Sequence, residues 1–235
     1  RVHTIPEVLA RQDPVVYSDW TAASPLTRAQ TESYDRDGFL VLPHLLKPDE
    51  VACLQREMAI LQGDTEDIDP ELLIREPGSG ALRSIFKVHE ISRIFARLAS
   101  NRRLAGIARF LLGDEVYIHQ SRLNFKPAFR GKEFYWHSDF ETWHVEDGMP
   151  RMRALSISIV LTPNRSYNGP LMLIPGSHRQ YISCVGKTPD NHYVQSLRKQ
   201  EYGVPDDDSL RALAETGGIE TPLGSVGTVI LFDCN

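Results

Sequence analysis

The stretch ALSISIVL, residues 154–161, decides the fold of this chain. Its odd-numbered positions, Leu155 to Leu161, are apolar, whereas Ser156 and Ser158 occupy two of the even ones. Because successive side chains of a strand point to opposite sides of a sheet, this alternation is typical of a half-buried β-strand. The segment therefore predicts a strand with one apolar face and one polar face.

The segments around this strand also have patterns that are typical of β-strands. Residues 116–126 alternate, residues 171–174 form a short apolar run before Pro175-Gly176, and residues 224–233 alternate again. Strands without ten-residue helices between them argue against a doubly wound α/β fold and favour an antiparallel barrel or sandwich. We therefore predict an α+β chain with a mainly β core, a double-stranded β-helix (jelly roll, cupin-like barrel) flanked by N-terminal helices.

The N-terminal half of the chain has mainly helical patterns. Helical patterns cover about residues 26–37, the segment that follows Lys47-Pro48-Asp49-Glu50, and residues 91–99 and 102–112, with a short strand at 38–42 and a mobile loop at 63–80. We expect one catalytic domain over residues 1–235: an N-terminal arm at 1–25, a mostly helical part at about 26–113, and a jelly-roll core at about 114–235. The C-terminal end of that core is expected to be incomplete at Asn235.

Composition excludes several classes of function. The 26 basic and 31 acidic residues leave a net charge of −5, so a nucleic-acid partner is not expected. An 18-residue apolar stretch and a signal-peptide core are both missing from the sequence, which argues against a membrane partner. Cys53, Cys184 and Cys234 are scattered, which argues against a disulfide framework or a thiolate zinc site and favours a reducing cytoplasm.

The triplet His137-Ser138-Asp139 lies inside the run FYWHSDFETWH, residues 134–144. On an extended segment, His137 and Asp139 would point to the same side. They would then supply two of the three ligands of a 2-His-1-carboxylate facial triad, which holds non-haem Fe(II). Because eight histidines and many acids produce such triplets by chance, the alternative of a polar strand end stays open. If the strand continues, Trp143 faces the metal side as well.

The even positions of residues 116–126 include Gln120, Arg122, Asn124 and Lys126. Pointing into a barrel, they would form a costly core unless they met a polar ligand. Pointing outward, they would simply face water. Periodicity alone leaves both readings open.

The run NGPLMLIPGSHR, residues 168–179, follows the His-x-Asp motif and, with Tyr34 and DGFL at residues 37–40, carries a resemblance. From about residue 30 onward the chain resembles the phytanoyl-CoA dioxygenase-like family of Fe(II)- and 2-oxoglutarate-dependent oxygenases. Within that family, residues 120–126 and 136–144 resemble the ectoine hydroxylases. The resemblance implies hydroxylation of ectoine to 5-hydroxyectoine, a step of compatible-solute synthesis under osmotic stress, with O₂ and 2-oxoglutarate consumed and succinate and CO₂ released. It also implies a homodimer.

The same resemblance implies a role for individual residues. A third iron ligand, a histidine, is expected beyond Asn235. The implied contacts are iron at His137 and Asp139, 2-oxoglutarate at Lys126, Asn124 and Ser156, and ectoine at Gln120, Trp143 and Phe232.

Alternatives remain at this point. The chain could be a related oxygenase acting on another small zwitterion or amino acid, or a metal-free jelly-roll binding module. Trp143 and Phe232 could be plain core aromatics, and Arg122 either supports the cosubstrate or forms a structural ion pair. Glu141 is expected to support the iron ligands or face solvent, His144 to be a surface residue, His178 to stabilise a turn, and His119 to pack outside the pocket.

Overall fold

The computed structural model describes residues 5–76, 78–126, 134–184 and 203–235. Within these ranges the helices are α1 Arg28–Asp37, α2 Pro48–Gly63, α3 Val88–Ile91, α4 Arg93–Ala99, α5 Arg102–Leu112, α6 Asp139–Glu146 and α7 Asp207–Gly217. The strands are β1 Glu7–Ala10, β2 Phe39–Leu42, β3 Leu73–Arg75, β4 Leu82–Phe86, β5 Arg122–Asn124, β6 Leu155–Ile159, β7 Gln180–Ser183 and β8 Val229–Asp233. In these same ranges, we find no helix long and apolar enough to cross a membrane.

The strands form three antiparallel sheets, in the orders β2-β8-β6, β3-β4-β5 and β1-β7. Strand β8 is central in its sheet, and its residues Val229, Ile230 and Leu231 are at most 1% exposed. A strand that is paired on both sides and buried on both faces has a nearly continuous run of apolar residues in its sequence, and this explains the sequence VILF of β8. The expected mixture of helices and antiparallel sheet is confirmed.

One apolar core joins the helical part to two of the sheets. Leu111 of α5, Ile85 of β4 and Leu231 of β8 are fully buried in it. Helix α5 covers the range predicted from its apolar spacing and ends at Gly113, whose left-handed conformation terminates the helix. The helical part thus forms a packed support for the sheets that carry the site.

Several local predictions are wrong. The alternating segment 116–126 forms a strand only at Arg122–Asn124, and residues 171–174 contribute a single bridge, between Leu173 and Glu220, rather than a strand. The expectation of strands without intervening helices also fails, because α7 has 11 residues and lies between β7 and β8. Its start is marked by Asp206, whose side chain accepts hydrogen bonds from the backbone of residues 208 and 209.

The predicted arm and loop are more ordered than the sequence suggested. Residues Glu7–Ala10 of the arm form β1 and pair with β7, while residues 1–4 lie outside the described part of the chain. The expected loop at 63–80 contains a 3₁₀ turn at Pro70–Leu72 and then β3. Strand β1 is ordered by pairing with β7, which is distant in sequence, whereas β3 is ordered by pairing with β4, the next strand along the chain.

Candidate active site

His137 and Asp139 lie at the start of α6, and not on a strand as predicted. Ser138 is the N-cap of this helix: its Oγ accepts a hydrogen bond from the Glu141 backbone N–H at 3.3 Å. The spacing Ser138…Glu141 is a capping-box pattern and could have revealed the helix. The conclusion that the two side chains share one side nevertheless holds, because His137 Nε2 lies 3.4 Å from Asp139 Oδ1.

The end of β8 holds the first turn of α6 in place. The backbone N–H of Phe140 donates to the carbonyl of Cys234 at 2.6 Å. The hydroxyl of Ser138 donates to the Asn235 Oδ1 at 3.0 Å and lies 3.3 Å from the same Cys234 carbonyl. The position of the His137–Asp139 pair is therefore set by the sheet as well as by the helix.

Hydrogen bonds also orient the two side chains. His137 Nδ1 lies 2.6 Å from the Tyr135 carbonyl, which can only accept, so this nitrogen carries a proton and donates it. Asp139 Oδ2 accepts from the hydroxyl of Ser156 at 3.0 Å. These bonds leave His137 Nε2 and Asp139 Oδ1 facing each other, an arrangement common in metal sites, where outer groups fix the ligand rings.

Electrostatics couple the pair. Burial disfavours the imidazolium, but the hydrogen bond to Asp139 and its charge outweigh burial and raise the pKa of His137. Burial likewise favours the neutral acid, yet the hydrogen bond and charge of His137, with the Arg122 charge and the Ser156 hydroxyl, lower the pKa of Asp139. Two acceptor atoms directed at each other are stable only with a cation between them, either a proton or a metal ion.

The donor set fits iron as two of three ligands. One imidazole nitrogen and one carboxylate oxygen are the donors that non-haem Fe(II) sites use. Over the ranges that the structure describes, no group of three His, Cys, Asp or Glu side chains could hold a metal. His178, the other histidine of a recognised motif, is 2% exposed and its Nε2 lies 3.0 Å from the Asp35 carbonyl, so it stabilises the turn, as the sequence analysis expected.

A cavity of about 1500 Å³ opens between the sheets and α6. Ordinary ligand pockets measure about 300–1,000 Å³, so this cavity has room for more than one small molecule. It brings together every residue singled out for iron, cosubstrate and substrate. Its lining includes His137, Asp139, Lys126, Asn124, Ser156, Gln120, Trp143 and Phe232.

Residues 122–126 of the β5 segment all border this cavity. Leu123 is 6% exposed and packs in the apolar core, whereas Asn124 and Lys126, on the other face of the segment, are exposed. Asn124 Oδ1 accepts from Ser84 Oγ at 2.8 Å, and Lys126 Nζ donates to the Gly169 carbonyl at 3.2 Å. The NGP turn identified in the sequence therefore contacts the lysine expected to bind the cosubstrate.

One cavity residue, Arg83, escaped the sequence analysis. The guanidinium of Arg83 lies 4.0 Å from the centroid of the Phe134 ring, and that of Arg122 lies 5.7 Å from the same ring. The aromatic run that begins at Phe134 was a signal for this wall, but β4 carries Arg83 in a segment with no recognised motif. The cavity thus combines an aromatic wall with two guanidinium groups, and that of Arg83 is paired with the buried carboxylate of Glu76 at 3.0 Å.

Trp143 lines the cavity for a different reason from the one predicted. Strand parity does not apply in α6, where Asp139 and Trp143 are four residues apart and so lie on one face of the helix. His119 was expected outside the pocket. It lines the cavity instead, with its ring centroid 5.1 Å from that of Trp143, because residues 115–121 leave regular strand geometry.

Glu141 and His144 occupy the other sides of α6. Glu141 is 1% exposed, accepts a hydrogen bond from the Tyr181 hydroxyl, and lies 3.3 Å from the Cys184 backbone N–H. It therefore supports the helix that carries Asp139 and does not face solvent. His144 is a surface residue, as expected, and its Nδ1 lies 2.7 Å from the Met149 carbonyl.

Comparisons with known proteins show what this chain is similar to. Residues 34–235 match the family model described as phytanoyl-CoA dioxygenase (PhyH). Two relatives named ectoine dioxygenase are 60% identical over 229 residues in Sphingopyxis alaskensis (97% of this chain, 75% of the relative) and 51% identical over 227 residues in Halomonas elongata (97% and 68%). A crystal structure of EctD from S. alaskensis with 2-oxoglutarate and 5-hydroxyectoine superposes with a TM-score of 0.91 at 53% identity, over 100% of this chain and 77% of that one.

Proposed function

This chain belongs to the phytanoyl-CoA dioxygenase family, and on that premise we propose that it is an Fe(II)- and 2-oxoglutarate-dependent ectoine dioxygenase. It hydroxylates ectoine to 5-hydroxyectoine, consumes O₂ and 2-oxoglutarate, and releases succinate and CO₂. The high identity to proteins named ectoine dioxygenase favours ectoine over another small zwitterion or amino acid.

One observation carries the assignment of roles: the iron, cosubstrate and substrate residues all line a single cavity. His137 and Asp139 would hold Fe(II), which when bound supplies the oxidation chemistry. Ser156 holds Asp139 in position by donating to its Oδ2 at 3.0 Å. The Tyr135 carbonyl holds His137 in the tautomer whose Nε2 can bind a metal.

The cosubstrate and the substrate require different groups. Lys126 offers a positive charge to a carboxylate of 2-oxoglutarate, with Asn124 and Ser156 as hydrogen-bonding partners. Gln120 offers an amide to ectoine. Trp143 and Phe232 offer aromatic faces to its delocalised amidinium, an attraction of about 0.5–2 kcal/mol once water is excluded.

The jelly-roll architecture, the oligomeric state and the cellular compartment are part of the same proposal. Strand β8 pairs with β2 and β6, with Phe232 opposite Ser156, and we assign this sheet and β3-β4-β5 to the two walls of a jelly roll in one catalytic domain. We also propose that the protein is a homodimer of the cytoplasm. The scattered positions of Cys53, Cys184 and Cys234 support a reducing compartment.

The test is direct. The full-length protein is incubated with Fe(II), ascorbate, 2-oxoglutarate and ectoine under air, and ectoine is followed by mass spectrometry for the gain of one oxygen. We expect this gain, and we expect His137→Ala to abolish it. If ectoine stays unchanged while 2-oxoglutarate decays to succinate, the substrate is wrong, and proline is tested next. If neither compound changes although iron is bound, the oxygenase assignment fails.

A further inference from the structure

We propose that His119 and Asp147 form a positioning pair that holds the Trp143 indole against the cavity, and so set the affinity for ectoine. The proposal rests on the proposed function, in which Trp143 is a wall of the ectoine site. Neither His119 nor Asp147 belongs to the motifs that identify the family. Their role follows from contacts across the end of α6.

The first contact is between rings. The His119 and Trp143 ring centroids are 5.1 Å apart with an angle of 70° between the planes, which is an edge-to-face arrangement. Such pairs prefer this geometry because the positive edge of one ring meets the negative face of the other. Both residues line the cavity, so the contact lies at its wall, where Trp143 also packs against the small apolar cluster of Phe140, Met152 and Cys234.

The second contact orients the imidazole. His119 Nε2 lies 3.0 Å from Asp147 Oδ2, a charge-assisted hydrogen bond to a carboxylate acceptor. A ring with only one such bond to a fixed partner has one preferred tautomer and orientation. Asp147 thereby fixes the plane in which His119 meets the indole.

Asp147 is itself tied to Trp143. It is the C-cap of α6, and its backbone N–H donates to the Trp143 carbonyl at 3.1 Å. The backbone N–H of Met149 donates to the same carbonyl at 3.0 Å. The backbone of Trp143 is therefore held by the helix end, while its ring is held by His119, and Asp147 joins the two restraints in one closed loop of contacts.

This arrangement also links the indole to Gln120. Gln120 follows His119 directly in the chain and lines the same cavity. A shift of His119 would move both the aromatic wall and the neighbouring amide. The pair therefore acts on ectoine through Trp143 and Gln120, and not on iron or 2-oxoglutarate.

The test compares side chains that keep or remove each contact in the iron-loaded full-length enzyme. His119→Ala and Asp147→Ala each remove the pair, whereas Asp147→Asn keeps an acceptor oxygen for His119. Because the backbone N–H of residue 147 is unchanged in both Asp147 variants, the helix cap is retained. His144→Ala is the matched control: His144 lies on the same helix and stacks on Phe140 at 5.2 Å, but it is absent from the cavity lining described above.

We expect His119→Ala and Asp147→Ala each to raise KM for ectoine about 3- to 10-fold, the effect of losing one aromatic or polar contact. KM for 2-oxoglutarate should stay unchanged, Asp147→Asn should recover most of the loss, and the double alanine variant should be no worse than either single one. An unchanged KM for ectoine in both alanine variants would overturn the proposal. So would equal rises in the two KM values, or a rise in His144→Ala of the same size.

A second readout does not depend on ectoine. The near-ultraviolet circular dichroism of Trp143 is obtained as the difference between each protein and its Trp143→Phe counterpart. We expect this signal to fall in His119→Ala and Asp147→Ala and to persist in Asp147→Asn and His144→Ala. If the wild-type protein does not hydroxylate ectoine, the proposed function fails. Even then, loss of the Trp143 signal in His119→Ala and Asp147→Ala supports the positioning pair, and an unchanged signal in both variants overturns it.

Discussion

Replacing Arg11 by alanine removes a guanidinium that joins the N-terminal arm to the end of β8. Nη1 of Arg11 donates to Asp233 Oδ1 at 2.7 Å, and both side chains are at most 4% exposed. The remaining donors reach backbone carbonyls at 2.8–3.3 Å. Those carbonyls belong to Asp13, Pro14, Met152 and His178.

The expected loss of unfolding free energy follows from the groups that Arg11→Ala leaves without a partner. Alanine leaves the Asp233 carboxylate buried without its charge partner and four carbonyls without this donor. Removing one member of a buried ion pair costs about 3–5 kcal/mol. A domain has a total unfolding free energy of about 5–15 kcal/mol, so the loss is a large fraction of it. For a chain of this length it corresponds to a fall in Tm of about 6–20 °C.

The loss should depend on pH. Burial raises the pKa of Asp233 in the folded protein, and the hydrogen bond and charge of Arg11 act in the opposite direction. Without Arg11 that pKa rises further, so the folded state binds a proton that the unfolded state has already released. Folding stability of Arg11→Ala therefore falls as pH rises from the ordinary pKa range of aspartate through the raised folded pKa, and the defect shrinks as pH is lowered back through that window.

The assay is equilibrium urea unfolding at neutral and mildly acidic pH, supported by a thermal scan. Arg28→Ala is the control, because Arg28 is 73% exposed in its pair with Glu32 and its loss should cost no more than about 1 kcal/mol. Arg11→Lys keeps the charge but loses the planar fork of donors, and should fall between the two. A cost for Arg11→Ala below that of Arg28→Ala, or a defect that grows on acidification, would refute the reasoning.

Three further substitutions test contacts around the site. Gly38→Ala should lower the unfolding free energy by about 2–4 kcal/mol, because Gly38 has φ +81° and an alanine Cβ there would lie 2.3 Å from Nδ1 of the buried His178. Urea unfolding measures this loss, and an unchanged unfolding free energy would contradict the packing. Gly169→Ala, with φ +72° and a Cβ 2.4 Å from Lys126 Nζ, should displace the lysine and raise KM for 2-oxoglutarate several-fold. Lys126→Met should raise KM for 2-oxoglutarate about 10- to 100-fold through loss of a charged hydrogen bond, while KM for ectoine stays constant. Parallel rises in both KM values would argue against the role assigned to Lys126.

Strong local patterns predicted the elements that depend on them. The alternation in residues 154–161 produced β6 at Leu155–Ile159, and the apolar spacing of residues 102–112 produced α5 over the same range. Helix α5 buries the face that its pattern marks, and the apolar residues of β6 pack against the core, although all five residues of β6 are only partly buried. The three-residue strand β5 fell short of the predicted 116–126 because its pairing with β4 covers only Arg122 to Asn124, and most of the missing length lies before Arg122.

The run 134–144 shows where local reasoning stops. Family resemblance predicted that His137 and Asp139 in this run bind iron, yet the extended conformation assumed for the run was wrong. The Ser138…Glu141 cap and the bond from Phe140 N–H to the Cys234 carbonyl favour a helix there. The capping signal was present in the sequence, but the partner that stabilises the helix lies 94 residues further along the chain.

The sequence by itself determined the family and, through that resemblance, predicted which side chains bind iron, 2-oxoglutarate and ectoine. It could do so because most of these residues stand in short motifs that are visible in the chain. Only the tertiary structure decided how they meet. Arg11 reaches Asp233 across 222 positions, and His119 meets Trp143 and Asp147 from a segment with no regular structure. Such contacts depend on where the sheets and helices pack, and side-chain order along the chain does not encode that directly.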